Sequence, residues 1–211
     1  MSEPAAVIVA HPDDETLWAG GTILMHPEYS WEIFALCRRN DPDRAPRFKQ
    51  ALEHYQAQGD LGDLDDSPEQ EPVEQAEIFK VLDELLPKRS YKLVLTHGPQ
   101  GEYTRHLRHE EISRAVLQLW QDKKLNTEEL WLFAYEDGQK EHLPRPIHWA
   151  DHYTILPENI WREKYALITD TYNFAKDSFE AKTTPKGEAF WCLSKPEDLK
   201  KLKHHGLTYV D

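Results

Sequence analysis

Short apolar runs alternate with segments of helical spacing along the first two thirds of the chain. This is the pattern of βαβ units around a mostly parallel sheet. Residues 6–10 (AVIVA), 31–37 (WEIFALC), 92–96 (KLVLT) and 130–134 (LWLFA) read as strands. Helices are predicted over residues 16–25, 48–58, 73–86 and 110–120, the second stopped by Gly59. In the third, Val73, Ala76, Phe79, Leu82, Leu85 and Leu86 recur on one face. Residues 60–72 (DLGDLDDSPEQEP) are acidic and turn-rich and read as a surface loop. Further on come a proline- and histidine-bearing stretch (143–152), a long helix from about 157 to 179, and a short apolar run, AFWCL. With no internal repeat and no flexible linker, a single α/β domain over residues 1–211 is expected.

The chain has 211 residues, enough to bury a substantial core. No apolar run approaches the roughly 18 residues of a membrane span. The start, Met-Ser-Glu-Pro, lacks the basic and apolar regions of a signal peptide, and Cys37 and Cys192 are the only cysteines. A reduced, cytoplasmic setting is therefore expected. The net charge of -13 repels phosphate backbones, so no nucleic-acid partner is expected, whereas a neutral or cationic small molecule is compatible with it. No Gly-x-Gly-x-x-Gly follows the first strand, which argues against a dinucleotide site.

Directly after AVIVA comes His11-Pro12-Asp13-Asp14-Glu15. Ligands of open parallel sheets bind beyond the carboxyl ends of strands. Three adjacent carboxylates there repel one another unless they face water or a cation. An imidazole and a carboxylate three residues apart across a turn stiffened by Pro12 reach a single divalent ion. The competing reading is a helix N-terminus whose acidic residues favour the dipole.

The third strand ends Thr96-His97-Gly98, and a loop leads to His106-Leu107-Arg108-His109 at the start of a helix. Histidines three apart share a helix face, so one can bind a metal while the other overhangs the open position. Two arms, each just past a strand, fit a His-Asp-His site with one coordination position left for water.

These residues carry a family resemblance. His11-Pro12-Asp13-Asp14-Glu15 with Gly20-Gly21-Thr22, and the later run from Thr96-His97-Gly98 through Gly101-Glu102-Tyr103 to His106 and His109, resemble the two motifs of the PIG-L/LmbE de-N-acetylases. The resemblance covers about residues 5–135. It implies a Rossmann-like three-layer fold with a mostly parallel sheet flanked by helices, and hydrolysis of an N-acetyl group on an amino-sugar conjugate. It implies His11, Asp14 and His109 as ligands of zinc, with ferrous iron fitting equally. It makes Asp13 the general base and a cationic His106 the group that meets the tetrahedral intermediate. Arg47, Tyr103 and His97 become candidate substrate contacts. Leu107 and Arg108 depart from the family's usual interior residues, and Tyr103 lies one residue further from His106 than is usual.

Two other functions fit the same residues. One is a metal-dependent amidase acting on a non-sugar amide or a thiol conjugate. The other is a non-catalytic binding module that keeps the metal as a staple, for which a fourth protein ligand would be the sign.

Overall fold

In the computed structural model, residues 2–67, 69, 71–204 and 206–207 are described. The chain runs β1 (Glu3–Val9), α1 (Asp14–Met25), β2 (Tyr29–Cys37), α2 (Arg44–Tyr55), β3 (Gln58–Leu64), α3 (Gln75–Leu85), β4 (Ser90–Thr96), α4 (Leu107–Gln121) and β5 (Asn126–Phe133). After two short strands, β6 (Tyr135–Glu136) and β7 (Arg145–Pro146), come β8 (His152–Ile155), α5 (Glu158–Ala166), α6 (Phe179–Thr183), β9 (Gly187–Leu193) and α7 (Leu199–His204). Among the described residues the main sheet has the order β3-β2-β1-β4-β5-β9-β8. Its first five strands are parallel, and β9 and β8 close one side antiparallel.

The expected three-layer α/β architecture follows from β1, which is buried on both faces. Ala5, Val7 and Val9 point into a core with Leu17 and Trp18 of α1 and Phe48 of α2. Ala6 and Ile8 point the other way, into a core with Ile78 and Leu82 of α3 and Ile112 and Val116 of α4. The chain winds outward from β1 through β2 to β3, then returns to place β4 on the other side of β1. This reversal of direction is the topological switch point, where parallel sheets open a crevice for ligands.

Two segments differ from expectation. Residues 58–64, partly assigned to a loop, form the edge strand β3. The sequence QGDLGDL shows no apolar alternation: only Leu61 and Leu64 enter the cores, on opposite faces, and at Gly59 the backbone packs so closely that a Cβ would lie 1.9 Å from the Ile33 carbonyl oxygen. Gly59 is therefore a strand residue, and α2 ends at Gln56, in the left-handed region at φ 54°. The long helix expected to residue 179 stops early. A π-helical turn, Leu167–Thr171, follows α5, and Asn173 at φ 59° turns the chain away. No described helix is long and apolar enough to cross a membrane.

Candidate active site

The loop after β1 and the loop after β4 lie side by side at the switch point, and they bring His11, Asp14 and His109 together. His11 Nδ1 is 2.9 Å from Asp14 Oδ2, and His109 Nε2 is 3.3 Å from His11 Nδ1 and 3.4 Å from Asp14 Oδ2. Ligands about 2.0–2.2 Å from one tetrahedral zinc ion stand about 3.3–3.5 Å apart. Two imidazoles and a carboxylate also form the donor set of ferrous sites with open positions. The residues present thus fit a divalent ion by geometry and by chemistry.

Each donor is held from behind. Asp14 accepts from the His11 backbone N–H (2.9 Å) and from Trp18 Nε1 (3.0 Å). His11 Nε2 lies 3.0 Å from Asp66, just beyond β3, and Arg38 at the end of β2 binds the same Asp66 at 2.5 and 2.7 Å. His109 Nδ1 lies 2.6 Å from the buried Glu102. Burial alone would lower the His11 imidazole, but the Asp14 charge outweighs it and raises the group to about 9. His109 is raised to about 10 against the same penalty, again chiefly by Asp14. Asp14 stays well below the usual carboxylate range despite burial because both histidines face it.

Above the cluster opens a cleft of about 440 Å³, within the range of small-molecule sites. Asp13, Arg38, Arg44, Tyr103, His106 and Phe174 are among its lining residues. The sequence over residues 6–120, more than half of the chain, matches the family model described as PIG-L, GlcNAc-PI de-N-acetylase. The chain belongs to the PIG-L family.

An uncharacterized protein of Acanthamoeba polyphaga mimivirus is 23% identical over 148 residues, 63% of this chain. The chain spans 62% of the length of that curated relative. Among solved structures, N,N'-diacetylchitobiose deacetylase from Pyrococcus horikoshii aligns with a TM-score of 0.64 and 14% identity, over 91% of this chain and 84% of that one. GalB, the 4-carboxy-2-hydroxymuconate hydratase from Pseudomonas putida, aligns with a TM-score of 0.56 and 17% identity, over 99% and 91%. At such identities the likeness is one of fold. The PIG-L architecture is thus shared by proteins named for different reactions.

Within this PIG-L site, Asp13 precedes α1 with a backbone φ of 119°. A non-glycine residue there is strained by about 1–3 kcal/mol, and such strain persists only where the surroundings enforce it. They do: the Asp13 N–H donates to Glu15 Oε2 (3.0 Å), and its carbonyl accepts from Leu17 N–H (2.8 Å). Glu15, fully buried, also accepts from Thr16 and from Tyr172 (both 2.6 Å), the residue that follows the π-helical turn. The Asp13 carboxyl is raised well above its usual range, first by burial and then by the Asp14 charge.

His106 stacks on His109, ring centroids 4.3 Å apart at 22°. Burial, then the charges of His109 and His11, lower its pKa to about 3. Tyr103 does reach the cleft, its ring edge-on to those of His106 and His109 at 5.8 and 5.6 Å.

Arg47 and His97, both expected against substrate, do not line the cleft. Arg47 donates to Asp43 (2.8 Å) and to the Thr171 carbonyl (3.0 Å), clamping α2 to the π-helical turn. Arg44, one turn earlier, lines the cleft instead. Its guanidinium lies 4.1 Å over the Phe174 ring and 4.0 Å from Asp13 Oδ2, and its buried Nη1 makes no hydrogen bond. His97 is wholly buried, between Ala10 and Glu102. The sequence does not single out Arg44, Arg38 or Asp66, and it offers Glu102 only as part of the second motif, without a role. A charged residue directly past a strand end was the available signal for Arg38, whereas Asp66 follows β3, which the apolar pattern does not reveal.

Proposed function

We propose that the protein is a metal-dependent hydrolase that removes an acyl group, foremost acetyl, from the nitrogen of an amino-sugar conjugate. The observation that carries this reading is the triangle of His11, Asp14 and His109 donors on the floor of a cleft, with Asp13 beside it. Zinc or ferrous iron held there would supply a water of lowered pKa and a Lewis acid for the acyl oxygen.

The remaining steps belong to the chain's own groups. Asp13, with its elevated pKa, takes the proton of the attacking water and passes it to the departing amine. Arg44 faces Asp13 and favours its ionised form. His106 meets the acyl oxygen with a ring N–H as charge grows there. Tyr103 and Phe174 wall the space in which the acyl group and its carrier sit.

The stacking of His106 on His109 speaks against a closed, structural metal site. A lone pair lies in the plane of its ring, and two stacked, nearly parallel rings do not direct lone pairs at one ion. Although ligand atoms of His11, His106 and His109 also lie within 4.8 Å of one another, we read His106 as standing over the metal position and not as a ligand.

Metal analysis of the purified protein, combined with acetate release from a panel of N-acetylated glucosamine conjugates and non-sugar amides, tests the proposal. Asp13→Asn is expected to keep the metal and lose about 10²–10⁴-fold in turnover. His109→Ala is expected to lose the metal itself. Hydration of an unsaturated acid with no acetate release from any amide would remove the deacetylase reading.

A further inference from the structure

We propose that Glu102 is the positioning residue of the metal centre, fixing the tautomers of two histidines so that His109 turns a lone pair toward His11 and Asp14. This rests on the metal-site reading above. The backbone N–H of Ala10, just past β1, can only donate. Its partner is His97 Nε2, at 2.9 Å. That nitrogen must be the acceptor, so the proton of neutral His97 sits on Nδ1.

His97 Nδ1–H then donates to Glu102 Oε2 at 2.9 Å, while the Gly98 N–H donates to Oε1 at 3.0 Å. Glu102 is thus an acceptor at both oxygens. His109 Nδ1 approaches the same Oε2 at 2.6 Å and must donate as well. With its Nδ1 committed, a neutral His109 carries its lone pair on Nε2, the atom that faces His11 and Asp14. The same accounting excludes His97 as a ligand, although it lies among the metal-competent groups with Asp14 and His109. Both its nitrogens are already engaged.

The geometry adds a second role for His97, that of a strut. Ala10 immediately precedes His11, and Glu102 backs His109, so His97 spans the two ligand arms and sets their separation. Its ring stacks on His109 at 4.0 Å and 21°, which fixes the plane of the coordinating imidazole. Gly98 is bound into the same arrangement. A Cβ there would lie 2.5 Å from the Phe133 carbonyl oxygen, and relieving that clash would move the N–H that holds Glu102.

Glu102→Gln tests the assignment, because the amide keeps the volume but accepts at one end only: its NH2 must face either the Gly98 N–H or the two Nδ1–H groups. Zinc affinity, measured by chelator competition, is expected to weaken about 10–100-fold, the usual cost of losing such a backing carboxylate. Folding of the variant is monitored alongside. An unchanged zinc affinity in a folded Glu102→Gln protein would overturn the proposal. If that variant does not fold, ¹⁵N shifts of the histidines in the full wild-type chain decide. His97 is expected as the Nδ1–H tautomer with and without zinc, and His109 as Nδ1–H with zinc on Nε2. An Nε2–H His97, or zinc on His109 Nδ1, refutes the proposal. Wild-type protein that takes up neither zinc nor iron removes the metal reading, whereas failure of the tautomer assignment in zinc-loaded protein removes this inference alone.

Discussion

Arg44 and Arg47 are separated by one helical turn, yet only Arg44 faces Asp13. A cation stabilises the ionised carboxylate, so removing it raises the carboxyl pKa. With Asp13 as base, activity requires its deprotonated form. Arg44→Gln is therefore expected to move the acid limb of the kcat/KM–pH profile to higher pH, while Arg47→Gln leaves it in place. A limb unmoved by Arg44→Gln would show that the guanidinium does not act on the base. His11 with Asp14, and the pair His106 and His109, stood out in the sequence as metal-binding residue types following buried strands, and the choice of His109 over His106 came from the family resemblance. Arg44, Asp66 and the role of Glu102 did not, since charged residues on helices and loops are abundant here and only the fold aims a particular one at the cluster.

At the scale of elements, the tail of the chain holds the head in place. The fully buried Glu188 of β9 accepts from the backbone N–H groups of Gly21 and Thr22 in α1 (both 2.7 Å) and pairs with buried Lys164 of α5 at 2.7 Å. A Cβ at Gly21 would lie 2.4 Å from a Leu156 methyl and 3.0 Å from Glu188 Oε1, so glycine leaves room here for both side chains. Breaking a buried pair leaves an uncompensated charge, so Lys164→Met is expected to cost about 3–5 kcal/mol. Denaturant unfolding at neutral pH reads that loss; a value under about 1 kcal/mol would mean that Glu188 is satisfied without the lysine. The buried parallel strands were readable from their apolar runs. Strand β3 and the π-helical turn were not, since one carries only two apolar residues, Leu61 and Leu64, among glycines and aspartates, and the other continues the apolar spacing of a helix.

For the whole molecule, the central quantity is the exchange of protons for an ion. At neutral pH the ion-free cluster holds protons on His11 (about 9) and His109 (about 10). Both groups are raised above the ordinary histidine value, so their contribution to folding is fully present below about 6.5 and fades as pH rises through 9–10. An ion must displace these protons, so its affinity weakens as pH falls. Calorimetric titration with zinc in buffers of different ionisation enthalpy is expected to show net proton release near pH 7. Zinc should also raise the thermal midpoint, an effect that a chelator reverses. Uptake without proton release would contradict the proposed ligand set.

The clamp from Glu188 onto α1 has a consequence for how the chain is made. All three proposed ligands leave the ribosome by residue 109, yet the helix that carries Asp14 gains its anchor only when β9 emerges, some eighty residues later. A nascent chain stalled short of that strand would hold every metal donor and the His97 strut, but not the carboxylate that caps Gly21 and Thr22 of α1.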